Sequence, residues 1–134
     1  MPITSRDFQR AAMQRLTAAE FLLNNGYNLD AMYLGGYAVE CSLKALILMA
    51  TPATDLPETL KKISSGSKMH DIEVLTGILK DLSHAPPPNL VKRFKRSGWS
   101  TGLRYEYGRS DTGETRGLLH TAKKICQWVE GELP

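Results

Sequence analysis

The sequence predicts an all-α protein, an antiparallel bundle of about five helices. Three observations carry that expectation. Apolar residues recur at helical spacing along most of the chain, and no stretch alternates apolar and polar as a half-buried strand does. Clusters of Gly, Asn and Pro interrupt the pattern at short intervals. One segment, Asn28 to Ala50 (NLDAMYLGGYAVECSLKALILMA), is apolar on most of its girth, which marks a central core helix.

The first helix is expected from about Thr4 to Asn24. Thr4 or Ser5 can cap it and Asp7 complements its dipole, while Phe8, Ala12, Leu16, Ala19 and Leu23 form its apolar stripe. Asn24-Asn25-Gly26 is a stop signal, with Gly26 suited to a left-handed conformation. The connection Tyr27-Asn28 is short, so the first two helices should form a hairpin. Asn28 is the expected cap of the second helix, and Met32, Tyr33, Val39, Leu43, Leu46 and Ile47 its core residues. Gly35 and Gly36 each cost about 1 kcal/mol against Ala inside a helix. That cost fits either a backbone packed closely against them or a bend.

Thr51 to Met69 is the loosest stretch, with a short helix from Pro57 to Ile63 and a mobile tip at SSGSK. A further helix begins near His70-Asp71, carries Ile72, Leu75, Ile78, Leu79 and Leu82, and stops at Pro86-Pro87-Pro88. Asn89 to about Ser97 makes the next, with Lys92, Arg93, Lys95 and Arg96 as a basic face. GWSTGLRYEYGRSDTGE reads as an ordered loop whose aromatics are expected to pack. Asp111 and Glu114 form a capping-box pattern for a last helix to about Glu130, with Leu118, Leu119, Ala122, Ile125, Cys126 and Val129 inward.

Length and composition set the function classes. The 134 residues fit one domain, residues 1–134, able to bury a core without metal or disulfide. The chain is 42% hydrophobic and 23% charged, which excludes global disorder. A net charge of +3 is too small to argue for nucleic acid by itself. Cys41 and Cys126 fall in apolar helices and read as buried free thiols, and no Cys-His cluster has zinc spacing. The first residues lack a signal core, and the apolar run Ala45 to Ala50 is far short of the roughly 20 residues a span needs. A soluble, cytoplasmic protein off the membrane is expected, with no cofactor and no metal.

Glu40 and Lys44 are the least expected residues in the central helix. Four apart, with Glu nearer the N-terminus, they can pair. They read as a partly buried ion pair with a snorkelling lysine, or as a polar patch at a groove that holds a partner or a phosphate. Trp99 to Arg109 is the other suggestive stretch. There Trp99, Tyr105 and Tyr107 interleave with Arg104 and Arg109, which is the chemistry of phosphate contact and base stacking. The alternative is that Trp99 and Tyr105 pack and Arg104 pairs with Glu40 or Asp71. His70 reads as capping or orienting its helix, His84 as a loop residue, and His120 as a surface residue that can share an anion with Arg116.

The segment GYNLDAMYLGGYAVECSLKALILM resembles the second helix of the HEPN family, the higher eukaryote and prokaryote nucleotide-binding domains. The likeness rests on Ala38-Val39-Glu40 with Lys44-Ala45, on His70-Asp71 with Leu75, and on Arg104-Tyr105, and covers roughly residues 5 to 130 in order. It implies a bundle of four or five antiparallel helices, usually a homodimer. Many members resemble RNA-cleaving toxins and carry an Arg and a His at a longer spacing than Arg116 and His120, which have three residues between them in RGLLH. No His follows Arg104 or Arg96 within that range. The departure argues against metal-independent RNA cleavage.

The resulting expectation is a non-catalytic HEPN protein that binds a nucleotide, RNA or a protein in a groove lined by Lys44, Arg104, Tyr105 and Arg109. Glu40 would orient Lys44 or Arg104 there. The resemblance implies a nucleotidyltransferase as partner in a toxin–antitoxin-like module. The alternatives are an endoribonuclease with a rearranged site at Arg104, Tyr105, Arg116 and His120, and a structural dimerisation module.

Overall fold

The computed structural model describes residues 3–65, 67–107 and 111–134, with the side chains of Ser67 and Arg104 outside the description. The described residues form six α-helices: α1 (Ser5–Asn24), α2 (Asn28–Ala50), α3 (Leu56–Ile63), α4 (Ile72–Asp81), α5 (Pro88–Arg96) and α6 (Thr112–Glu132). Short 3-10 turns stand at Ala53–Asp55, Ser67–His70 and Thr101–Tyr105. No strand occurs among them, as the periodicity predicts for an all-α bundle.

Helix α1 starts where its cap chemistry places it. The Thr4 hydroxyl accepts from the Asp7 amide, and the Asp7 carboxylate accepts from the Thr4 amide in return. Those backbone hydrogen bonds, first that from Ile3, lower the Asp7 pKa below its ordinary value. The helix ends at Asn25, and Gly26 takes a φ of +84° to turn the chain into α2. Asn28 is not the cap of α2. Tyr27 holds that position without a side-chain bond, and the Asn28 amide donates to the Thr112 hydroxyl, tying the start of α2 to the start of α6.

Helix α2 lies at the centre, with α1, α3, α4 and α6 all packed against it. Its burial runs nearly unbroken from Gly35 to Leu48. It is long and apolar enough to cross a membrane by length and composition, yet 78% of the relevant window is buried in the protein. A helix buried on all sides needs no polar face, which explains that composition. Leu43, Leu46, Ile47, Leu75, Leu79, Ile125 and Val129 are fully enclosed. Among them runs one neutral polar link: the Ser42 hydroxyl donates to Gln9 Oε1, and Gln9 Nε2 donates to the Cys126 carbonyl. It fixes the relative height of α1, α2 and α6 and satisfies each buried group.

The glycine pair in α2 answers a close approach, but side chains make it rather than a second backbone. Leu119 and Leu118 of α6 sit over Gly35, and the indole of Trp99 sits over Gly36. The expected helix at His70 begins two residues later, at Ile72, because Asp71 is its cap and accepts from the Glu73 amide. In α6, Asp111 caps as expected by accepting from the Glu114 amide. Cys41 and Cys126 are buried free thiols.

Candidate functional site

The site is built on one face of α2. Gly36 and Glu40 stand one turn apart, and each seats a different neighbour. Without a side chain, Gly36 admits the Trp99 indole against the helix backbone. Trp99 Nε1–H donates to the Tyr33 carbonyl at 3.1 Å, and the ring stacks on Tyr33 and leans on Phe94 of α5. The indole is thereby fixed in position rather than free to swing.

Glu40 seats the second neighbour. Its side chain is 2% exposed, and Oε2 accepts from Lys44 Nζ at 3.0 Å and from His70 Nδ1 at 3.1 Å. A carboxylate only accepts, so His70 Nδ1–H is the donor in that bond. Among the described residues nothing donates to the other oxygen, Oε1, although it is buried. Burial and the Glu40 charge together raise the phenol pKa of Tyr37 above its ordinary value.

His70 and Trp99 both line one cleft of about 460 Å³. Asp71, Glu73, Phe94, Lys95, Ser100 and Thr101 complete the lining. Lys95 pairs with Glu73 at 3.2 Å across it. The cleft therefore offers a ring nitrogen, hydroxyls, a paired ammonium and an aromatic edge. Glu40 and Lys44 lie behind this wall rather than in it. Lys44 is 6% exposed, so its ammonium serves Glu40 and does not face a groove.

The 3-10 turn Thr101–Tyr105 packs on α2 and continues directly from the cleft lining. Arg104 belongs to that turn, with its side chain outside the described residues, and Arg109 lies outside them altogether. The expectation that the loop aromatics pack holds for Trp99 only: Tyr105 is 78% exposed and Tyr107 is 95% exposed. Arg116 and His120 are both exposed on α6, and neither lines the cleft. His84 keeps to the loop, its Nδ1 on the Leu82 carbonyl. No cluster of three metal-ligating side chains exists among the described residues.

The order of these features along the chain, with Glu40 and Lys44 on the central helix, His70 ahead of α4 and Arg104 ahead of α6, is the order in the HEPN resemblance. A family model described as HEPN domain matches residues 5–132, nearly the whole chain. The protein belongs to the HEPN family. Neither the curated proteins nor the solved structures give a match. In this HEPN domain the spacing of Glu40 and Lys44 foretells their ion pair but not the partnership of Glu40 with His70. Thirty residues separate the two, and only the packing of α4 on α2 joins them.

Proposed function

We propose that this HEPN protein binds a nucleotide or an RNA segment in the cleft between His70 and Trp99, without cleaving it. One observation carries the reading: a buried carboxylate holds the His70 imidazole through Nδ1 in the lining of the cleft that Ser100 and Thr101 share. A held imidazole beside hydroxyls suits the polar groups of a base or a sugar, and membership of a nucleotide-related family supports that class of ligand. Arg104 and Tyr105, next along the chain from the Thr101 wall, would supply phosphate contact and stacking, with Arg109 beyond them.

Calorimetry with ATP, GTP and a short single-stranded RNA at low and moderate salt tests the reading. The expected result is salt-sensitive binding that is lost in Arg104→Ala and weakened in His70→Ala. Absence of binding to every ligand in the panel refutes it. In a parallel RNA-cleavage assay no activity is expected, and Arg116→Ala and His120→Ala should change nothing. Cleavage abolished by either variant would replace this reading with the endoribonuclease one. A second reading, a protein-partner module in a homodimer or with a nucleotidyltransferase in a toxin–antitoxin-like pair, is favoured by the exposure of Tyr105 and Tyr107.

A further inference from the structure

We infer that the groove between α5 and α6 is a second nucleotide subsite, and that a single RNA strand reaches it from the His70 cleft over the C-terminal end of α5. The inference rests on the cleft reading above and names the substrate as a strand rather than a free nucleotide. Helix α5 has four cations in nine residues and no acidic residue, and all four cations are exposed. Three of them line the two grooves. Lys95 lines the His70 cleft, while Arg93 and Arg96 line a separate groove of about 370 Å³ on the other side of α5. Only Lys95 has an ion-pair partner among the described residues.

The second groove has the parts a nucleotide unit needs. Arg93 and Arg96 are one helical turn apart and present two guanidinium forks, the geometry that grips phosphate. Its floor is apolar, from Met32 and Leu118, and is widened by Gly117, where an added Cβ would meet nothing within 4 Å. Glu114 stands in the same lining. A carboxylate repels a bare phosphate but accepts from a base amino group or a ribose hydroxyl, so the groove fits a nucleotide better than an inorganic anion. Ser97 ends this lining, and Lys95, Trp99 and Ser100 line the first cleft. The two sites thus flank the end of one helix, whose width is about 10–12 Å. A flexible single strand can cross that distance; a duplex cannot bend into both sites.

The test is fluorescence anisotropy with a labelled single-stranded RNA of roughly eight nucleotides, in the usual range of site sizes. AMP, a duplex of the same sequence and heparin serve as competitors, across a salt series. Wild-type protein should bind the strand more tightly than AMP and prefer it to duplex. Arg93→Ala/Arg96→Ala should weaken strand binding about tenfold or more and leave unchanged the AMP binding that His70→Ala removes. It should also flatten the slope of log affinity on log salt by about 1.4, two phosphate contacts at 0.7 each. Arg93→Lys/Arg96→Lys should keep the slope and lose part of the affinity, and circular dichroism should show both variants folded.

If AMP binds but the strand gains nothing, or the double variant changes nothing, the inference falls and the cleft reading stands. If heparin or duplex competes as well as the strand, the basic helix is a non-specific polyanion surface and the inference falls. If the strand binds through Arg93 and Arg96 while AMP fails and His70→Ala has no effect, the cleft reading falls and the α5–α6 subsite stands. Loss of all binding refutes both.

Discussion

Replacing Gly36 with Ala sets two effects of opposite sign against each other. Helix propensity alone favours Ala by about 0.8–1.0 kcal/mol. The new Cβ, however, would overlap Cε2 and Nε1 of the Trp99 indole. The indole is no flexible side-chain end: it is stacked at 6.3 Å on Tyr33, set at 6.0 Å against Phe94, and hydrogen-bonded to the Tyr33 carbonyl. Displacing it costs the hydrogen bond, about 1 kcal/mol, and an overpacking penalty of about 1–3 kcal/mol. The overlap wins, and Gly36→Ala should destabilise the protein by about 1–3 kcal/mol, lowering Tm by several degrees, at about 3–5 °C per kcal/mol for a domain of this size. Urea unfolding followed by circular dichroism measures the loss. Trp99 emission in a Trp128→Phe background, shifted to the red, shows that the ring has left its seat. Gly77→Ala is the control: its Cβ meets nothing within 4 Å, so it should stabilise α4 by about 0.5–1 kcal/mol. At Gly35 the obstacle is the far end of Leu119, a flexible side chain, and the effect should fall between the two. Stabilisation in Gly36→Ala equal to that in Gly77→Ala would refute the placement of Trp99 as a wall of the cleft.

The buried pair gives a second test. Lys44→Met leaves the Glu40 charge buried with His70 as its remaining partner, and should destabilise by about 3–5 kcal/mol in urea, while Glu40→Gln/Lys44→Met should recover much of that loss. A single variant within about 1 kcal/mol of wild type would show that the carboxylate does not depend on Lys44. The thiols give a third. Burial first, and for Cys41 the nearby Glu40 charge second, push the thiols from an ordinary 9.0 up to about 12 at Cys41 and about 11 at Cys126. Both should resist a thiol reagent at pH 8 in the native state and react fully in urea, and rapid native labelling would contradict their burial. Because the folded values are raised, the stability these thiols contribute is fully present below pH 9 and is lost as pH rises toward 11 and 12.

Helix positions were legible where local chemistry sets them. Thr4, Asp7, Gly26 and Asp111 act within a few residues of themselves, so their types and spacing suffice. Asn28 misled because its side chain satisfies a distant hydroxyl, that of Thr112, instead of its own helix. The glycine pair announced a close approach but could not say what filled it, since Trp99 and Leu119 are both more than sixty residues away. Tyr105 and Tyr107 misled for another reason. Aromatic character predicts burial against something, and the described residues of this chain leave both rings exposed. The Glu40–His70 bond is tertiary in origin, and no periodicity encodes it.

The features that build the cleft share one stripe of α2. Tyr33, Gly36, Glu40 and Lys44 follow one another at three- and four-residue steps, so they face the same way. Tyr33 and Gly36 fix the Trp99 wall, Glu40 fixes the His70 wall, and Lys44 neutralises Glu40 from behind. The helix itself contributes no atom to the cleft lining. It acts as a ruler: the separation of the two walls is set by a single rigid turn of a helix buried on all sides. This arrangement accounts for two costs at once. A glycine inside a helix costs propensity, and an ion pair inside a core carries a desolvation cost. The groups they serve, an indole packed on the core and an imidazole, both lie at the cleft. Their placement on one stripe of α2 couples the position of the Trp99 indole to that of the His70 imidazole.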